Sequence, residues 1–298
     1  MVERLPGWCQ EFIEAHGLAP DYLASAQKWF DPMARVIAEH QNGASRPWLV
    51  ALNGSQGSGK STLSDYLCAL FQAGYGLRCA VLSLDDFYLT ADERRQLASD
   101  VHPLFRTRGV PGTHDTGLLK ATLEGLLAGE PVRIPRFDKA RDDRRPESGW
   151  DSVAAGVDIV LLEGWCLGAT AQPIAELARP VNALEADEDS EGRWRDHVNA
   201  VLARDFPPIY QLVDCWAMLR APSFDCVYGW RLEQEQKLAL KSSGAGLMSA
   251  EEITRFIQFY QRLTEHCLAR LPAKVNHLFE LDGQRAIQSY TYTEGVRV

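Results

Sequence analysis

Gly54-Ser55-Gln56-Gly57-Ser58-Gly59-Lys60-Ser61 sets glycines, serines and one lysine in the spacing G-x-x-x-x-G-K-[ST]. Glycines let successive backbone N–H groups turn inward and form an anion nest, and a helix starting at Lys60 adds the positive end of its dipole. Lys60 would reach the β- and γ-phosphates of a nucleotide, and Ser61 would ligate Mg²⁺, with Thr62 completing the first turn. An apolar run precedes this turn and an amphipathic pattern follows it, which a ligand-free glycine turn does not require. Residues 54–62 are therefore expected to bind ATP or GTP.

Carboxylates supply the next candidates. Asp85 and Asp86 stand side by side in Ser83-Leu84-Asp85-Asp86-Phe87-Tyr88, at the end of a second apolar run. Ligands of open parallel sheets sit outside the carboxyl ends of the strands. An alcohol attacking a γ-phosphate needs a group that orients it and accepts its proton, and Asp85 is the candidate. Asp86 is expected near Mg²⁺, unless it caps the following helix. Glu163, closing Val157-Asp158-Ile159-Val160-Leu161-Leu162-Glu163-Gly164, takes the position of an acid that holds Mg²⁺ directly or through water.

Other candidates carry positive charge or lie in turns. Arg108 to Asp115 reads RGVPGTHD and ends in His114-Asp115 before a helical pattern, where Asp115 either caps that helix or faces a substrate. Arg136, Lys139, Arg141, Arg144 and Arg145 are interleaved with Asp138, Asp142 and Asp143. That stretch either binds an anionic substrate or is a solvated loop laced with ion pairs. The segment VYGWRLEQEQ opens a helix that carries Arg231, as a phosphate-neutralising arginine or as an i,i+4 partner of Glu235.

The elements that must position these residues alternate in type. Apolar runs at Trp48-Leu52, Cys79-Leu84, Val157-Leu162, Ile209-Leu219 and Val275-Leu281 lack polar alternation and are separated by helical patterns. This predicts an α/β fold with a mostly parallel sheet buried on both faces. A helix over 60–71 presents Leu63, Tyr66, Leu67, Leu70 and Phe71, and another opens with the capping box Ser249-Ala250-Glu251-Glu252. Before the glycine turn, Tyr22 to Phe30 and Met33 to Ile37 predict two short helices broken at Asp31-Pro32. Glu185 to Glu191 reads as a solvated acidic loop. The expected organisation is an N-terminal helical extension over 1–45 and one α/β domain over 46–298.

Composition sets bounds on function. With 31 basic and 40 acidic residues among 298, the net charge is -9, which argues against nonspecific binding to nucleic acid or anionic membrane. The seven scattered cysteines form no CxxC pair and read as reduced thiols of a cytosolic protein. No run reaches the ~18 residues of a membrane span, and the start MVERLPGWCQEF has no apolar signal core. A cytoplasmic protein is expected; its oligomeric state is left open.

Taken together, GSQGSGKST, LSLDDFYLT, RGVPGTHD, FDKARDDRR, LLEGWCLG and VYGWRLEQE resemble the D-glycerate 3-kinase group, within the P-loop kinases that include uridine kinase and phosphoribulokinase. The resemblance runs in order from about residue 46 to 270. It implies a three-layer P-loop fold, with Asp85 as the catalytic aspartate and Glu163 as the Walker B acid. It also implies that Asp115 lies in the substrate region, about 102–150, and Arg231 in a phosphate-closing lid, about 221–248. The expected activity is ATP- and Mg²⁺-dependent transfer to a hydroxyl of a small acceptor, D-glycerate in the first instance. Lys60 and Arg231 would assist catalysis, while Arg106, Arg108, His114, Asp115 and Lys139 would bind the acceptor, an arginine pairing with its carboxylate. The alternatives are a uridine- or pantothenate-type metabolite kinase, a nucleotide switch protein, or a non-enzymatic nucleotide sensor. No NKxD or LSGGQ-like segment supports the switch.

Overall fold

The computed structural model describes residues 6–241, 250–296 and 298, with side chains described except at 234–241 and 250. Ser249, the first member of the expected capping box, lies outside the described residues.

The chain opens with helices α1 (Gly7–His16) and α2 (Tyr22–Gln41), then strand β1 (Trp48–Gly54), helix α3 (Lys60–Tyr75) and strand β2 (Cys79–Ser83). Helices α4 (Ala91–Asp100) and α5 (Thr116–Leu127) follow. Four short strands come next, β3 (Val132–Ile134), β4 (Phe137–Asp138), β5 (Asp143–Arg144) and β6 (Asp151–Val153), then β7 (Ile159–Gly164). The rest comprises α6 (Ile174–Leu177), α7 (Ala183–Glu188), α8 (Arg193–Arg204), α9 (Pro207–Tyr210), β8 (Cys215–Arg220), α10 (Phe224–Lys241), α11 (Ala250–Arg270), β9 (His277–Leu281) and β10 (Ile287–Tyr292).

The central sheet has the order β10-β9-β8-β1-β7-β2. Every neighbouring pair is parallel except β9 with β10, which form an antiparallel hairpin at one edge. Period-2 alternation along β1 sends Leu49 and Ala51 into one apolar layer with α5, α8 and α11. Val50 and Leu52 enter the other layer, with α1, α2 and α3. Burial on both faces is why these strands read as unbroken apolar runs. Among the described residues, no helix is long and apolar enough to cross a membrane.

Three local expectations are corrected. The predicted break at Asp31-Pro32 does not occur, because α2 runs through Pro32 as one helix, and the break falls instead at the left-handed Gly17 after α1. Pro32 gives up one backbone hydrogen bond, but the buried stripe Leu23, Ala26, Phe30, Met33, Ala34 and Ile37 continues across it. Asp31 is also fixed by accepting the Tyr66 hydroxyl at 2.7 Å. Packing of the amphipathic face outweighs the local cost of proline.

Only the second half of Ile209-Leu219 is strand; Pro207 and Pro208 start the single turn α9, as proline favours a first helical turn. The acidic run is not a solvated loop either. Glu185 is buried and accepts from both Nε and Nη2 of Arg262, at 2.8 and 2.6 Å. Asp189, also buried, accepts from the Trp194 amide and from Arg195. Buried arginines neutralise these carboxylates, Arg195 six residues on for Asp189 and the distant Arg262 for Glu185.

Candidate active site

Sheet register brings the chemistry to one edge. Leu52 of β1 stands opposite Glu163 of β7, and Glu163 stands opposite Ser83 of β2. The glycine turn, Glu163 and the turn holding Asp85 therefore leave the sheet at the same height.

In the turn itself Gly57 (φ 77°) and Gly59 (φ 92°) adopt left-handed conformations that glycine alone takes without strain. A Cβ built on Gly59 meets nothing within 4 Å, so this side of the loop faces open space. That space is a cavity of about 1330 Å³, lined by residues 56–62 with Ser83, Asp85, Glu163 and Trp165. Ser55 Oγ and Ser58 Oγ are buried hydroxyls without a hydrogen-bond partner, donors that fit an anion held by the loop. The Ser61 hydroxyl donates to Glu163 Oε1 at 2.9 Å, and Lys60 Nζ lies 3.9 Å from Oε2. Glu163 Oε2 is buried and accepts no hydrogen bond.

Asp85 and Asp86 separate. Asp85 sits in a 3₁₀ turn (Leu84–Phe87) capped by Ser83, whose hydroxyl accepts from the Asp85 amide. Its carboxylate accepts from the Tyr88 hydroxyl and from Lys139 Nζ, both at 3.0 Å. Burial alone would raise its pKa. The charges of Lys139 and Lys60, with hydrogen bonds from Lys139 and Tyr88, outweigh that and hold it at about 2. Asp86 does not line the cavity: it accepts from the Phe137 amide at 3.0 Å and from Arg136 Nη1 at 2.5 Å. The expectation of Asp86 as a metal ligand is corrected, since both its oxygens are engaged in holding β4 against the turn.

The expected acceptor residues also divide. Arg108 and Lys139 line the cavity; Arg106, His114 and Asp115 do not. Arg106 is exposed at the end of a 3₁₀ turn (Pro103–Arg106). Asp115 caps α5, accepting from the Leu118 amide at 2.9 Å and from Arg144 at 3.0 Å. His114 is buried with its ring stacked on Tyr88, centroids 4.5 Å apart, and neither ring nitrogen has a partner. Burial lowers its pKa to about 4, against the pull of Asp85. The segment is thus a support for the Asp85 turn, pinned by Leu89 N to Thr113 O at 2.8 Å and Asp115 N to Phe87 O at 2.7 Å.

Arg108 sits over the Phe137 ring and pairs with Asp142, which has a left-handed φ of 54°. The fully buried Arg94 grips the same carboxylate at 3.0 Å and also donates to the Arg106 carbonyl. Trp165 Nε1 donates to Gly109 O at 3.1 Å, and Tyr260 packs edge-on against Trp165. A Cβ on Gly109 would lie 2.4 Å from the Tyr260 hydroxyl, so glycine is required there. Arg231 lines the cavity with its guanidinium over Phe256. The side chain of Glu235, its alternative partner, and residues 242–248 of the expected lid lie outside the described residues.

Sequence reasoning missed Tyr88, Trp165 and Tyr260 as cavity residues, although the first two stand within quoted motifs. It also missed the far wall, where Leu18 and Tyr22 of the α1–α2 region face Gln284 and Arg285 of the β9–β10 turn. Nothing local marks those residues, because the sheet edge brings them together from opposite ends of the chain.

No family model matches the chain. The uncharacterized kinase mug58 of Schizosaccharomyces pombe is 33% identical over 270 residues, covering 85% of this chain and 93% of that protein. Chloroplastic D-glycerate 3-kinase of Arabidopsis thaliana is 32% identical over 225 residues, 72% of this chain and 46% of that protein, so the match spans under half of its length. Among solved structures, D-glycerate 3-kinase from Cryptococcus neoformans shares the fold with a TM-score of 0.72 at 24% identity, covering 87% of this chain and 96% of that one. A mostly parallel sheet with the glycine turn at its carboxyl edge, seen with these relatives, defines a P-loop kinase. Within that class, the chain belongs to the glycerate-kinase-like family.

Proposed function

We propose that this kinase transfers the γ-phosphate of ATP to a hydroxyl of a small hydroxy acid, with D-glycerate the first candidate. The observation that carries this reading is the Asp85 carboxylate, which lines the cavity beside the phosphate loop and is bonded to Lys139 rather than used as a helix cap. The relative named D-glycerate 3-kinase supports the choice of acceptor.

Lys60 and the amides of residues 54–62 hold the phosphates. The Ser61 hydroxyl and Oε2 of Glu163, which accepts no hydrogen bond, are hard oxygen donors, which suits Mg²⁺ bound mainly by phosphate and water. The ion would neutralise charge on the bridging and transferring oxygens.

Asp85 orients the acceptor hydroxyl and takes its proton as the oxygen attacks phosphorus and ADP leaves. At about 2 its carboxyl is a weak base while Lys139 is bonded to it. An acceptor carboxylate that draws Lys139 away would restore basicity as the substrate arrives. Arg108 and Lys139, the cations on this wall, select an acid over a neutral sugar. Arg231, from the segment proposed as a lid, neutralises charge on the transferring group. On this reading the acceptor region is 102–150, with Arg106, His114 and Asp115 acting as its framework.

The test is ADP release with D-glycerate, uridine and pantothenate, each with Mg²⁺ and with chelator. Mg²⁺-dependent turnover on glycerate supports the proposal. Turnover on uridine with none on glycerate overturns the acceptor, and acceptor-independent hydrolysis stimulated only by a protein overturns the kinase step.

A further inference from the structure

A second cavity, of about 680 Å³, lies at the opposite end of the same strands. Trp48, Cys215 and His277, the first residues of β1, β8 and β9, line it, while Leu219 and Leu281 near the far ends of β8 and β9 line the catalytic cavity. Its volume falls within the range of small-molecule sites.

Six rings form much of its wall: His40, Trp48, Tyr210, Trp216, His277 and Tyr292. His40 and Trp48 lie parallel at 5.3 Å, and His277 stacks on Tyr292 at 4.9 Å. Several polar groups on this wall are already engaged. Asn276 bonds Trp216 N and Thr293 O, Asp214 bonds Leu49 N and Arg46, and the Tyr210 hydroxyl donates to Ala169 O. Two are not. Trp48 Nε1 and His277 Nε2 are buried without partners, although His277 Nδ1 is 2.9 Å from the Tyr290 hydroxyl. His277 is fully buried, and burial lowers its pKa to about 4, so it is neutral near pH 7. A buried N–H without a partner is rare in folded proteins and calls for an acceptor.

We propose that this cavity is a second ligand site for a planar, uncharged heteroaromatic molecule, which packs against the lining rings and bonds Trp48 Nε1 and His277 Nε2 through ring nitrogens. Flat rings supply the stacking, and the two unpartnered nitrogens fix the orientation. The site is independent of the phosphate loop and does not rest on the acceptor assigned above.

The probe is benzimidazole at pH 8, a flat bicycle with one ring N–H and one acceptor nitrogen. It is titrated into the full chain while the indole N–H signals are followed in ¹H–¹⁵N spectra, with the Trp48 signal assigned by its loss in Trp48→Phe. A saturable shift at Trp48, unaffected by ATP, is the expected result. Trp48→Phe keeps the ring and removes the donor, so binding followed at Trp216 weakens about 2- to 10-fold. Val36→Trp fills the cavity and abolishes the shift; should that variant not fold, the Trp48→Phe titration decides. A linear, unsaturated shift, or a shift confined to Trp165 in the catalytic cavity, overturns the proposal. Equal affinity in wild type and Trp48→Phe does so as well.

Discussion

The Ser61 hydroxyl lies 2.9 Å from Glu163 Oε1 across 102 residues of sequence, joining the first turn of α3 to the end of β7. Parallel pairing of β1 with β7 sets this distance, so the pair depends on the sheet more than on either motif. Glu163→Gln keeps an oxygen for Ser61 and removes the charge. Turnover is expected to fall about 10- to 100-fold, with more Mg²⁺ needed for half-maximal rate. A Mg²⁺ titration of initial rates measures both, and an unchanged titration would remove Glu163 from the metal site.

Asp85→Asn should lower turnover by about 10²- to 10⁴-fold while nucleotide affinity changes little. Calorimetric titration with ATP separates the two effects. Because the Asp85 carboxyl titrates at about 2, the pH–rate profile of free enzyme above pH 5 carries no ionisation from it. The sign for stability follows from the same value. The unfolded carboxyl titrates near ~4, so its stabilisation is complete above that pH and is lost as pH falls through about 2. Acid unfolding of Asp85→Asn should lack this component.

His114 works in a higher window. Its folded value of about 4 lies below the unfolded imidazole near ~6.5, so the unfolded chain takes up the proton first. Stability is therefore full above ~6.5 and declines as pH falls toward 4. His114→Phe retains the stack on Tyr88 and should flatten that decline. Urea midpoints from pH 4 to 7 would reveal it.

Gly109→Ala forces a methyl group into the Tyr260 hydroxyl at a backbone φ of 144°. A loss of about 2–4 kcal/mol is expected from combined overpacking and strain. Chemical unfolding gives the number, and a loss below ~0.5 kcal/mol would mean Tyr260 moves freely.

Arg94→Met leaves the Asp142 carboxylate and the Arg106 carbonyl without their buried donor. Asp142 is half exposed and keeps Arg108, so the loss comes mainly from the stranded carbonyl and is expected at about 1–3 kcal/mol. Asp142 also holds Arg108, so KM for the acceptor should rise more than kcat falls. A variant with unaltered KM would show that Arg108 keeps its place without this support.

The phosphate loop and the strands could be read locally, because glycine spacing and unbroken apolar runs report backbone geometry directly. Asp85 could be read for the same reason, standing two residues past a strand end. Asp86 and Asp115 could not be told from ligands, because a carboxylate caps a helix or holds an arginine with the same residue type. Asp142, among the basic residues at 136–145, illustrates the point: its partners Arg108 and Arg94 lie 34 and 48 positions away. Glu185 was misread for a similar reason, with Arg262 at a separation of 77. Pro32 was read by its propensity, which the buried face of α2 overrides.

Helix α2 carries Phe30 on the wall of the catalytic cavity and His40, three turns later, on the wall of the second. Shortening the chain to begin at β1 would therefore breach both chambers together and bare the apolar layer over β1, β8 and α3. Inhibitor screens or crystallisation trials on such a trimmed version would address a different surface from that of the whole chain.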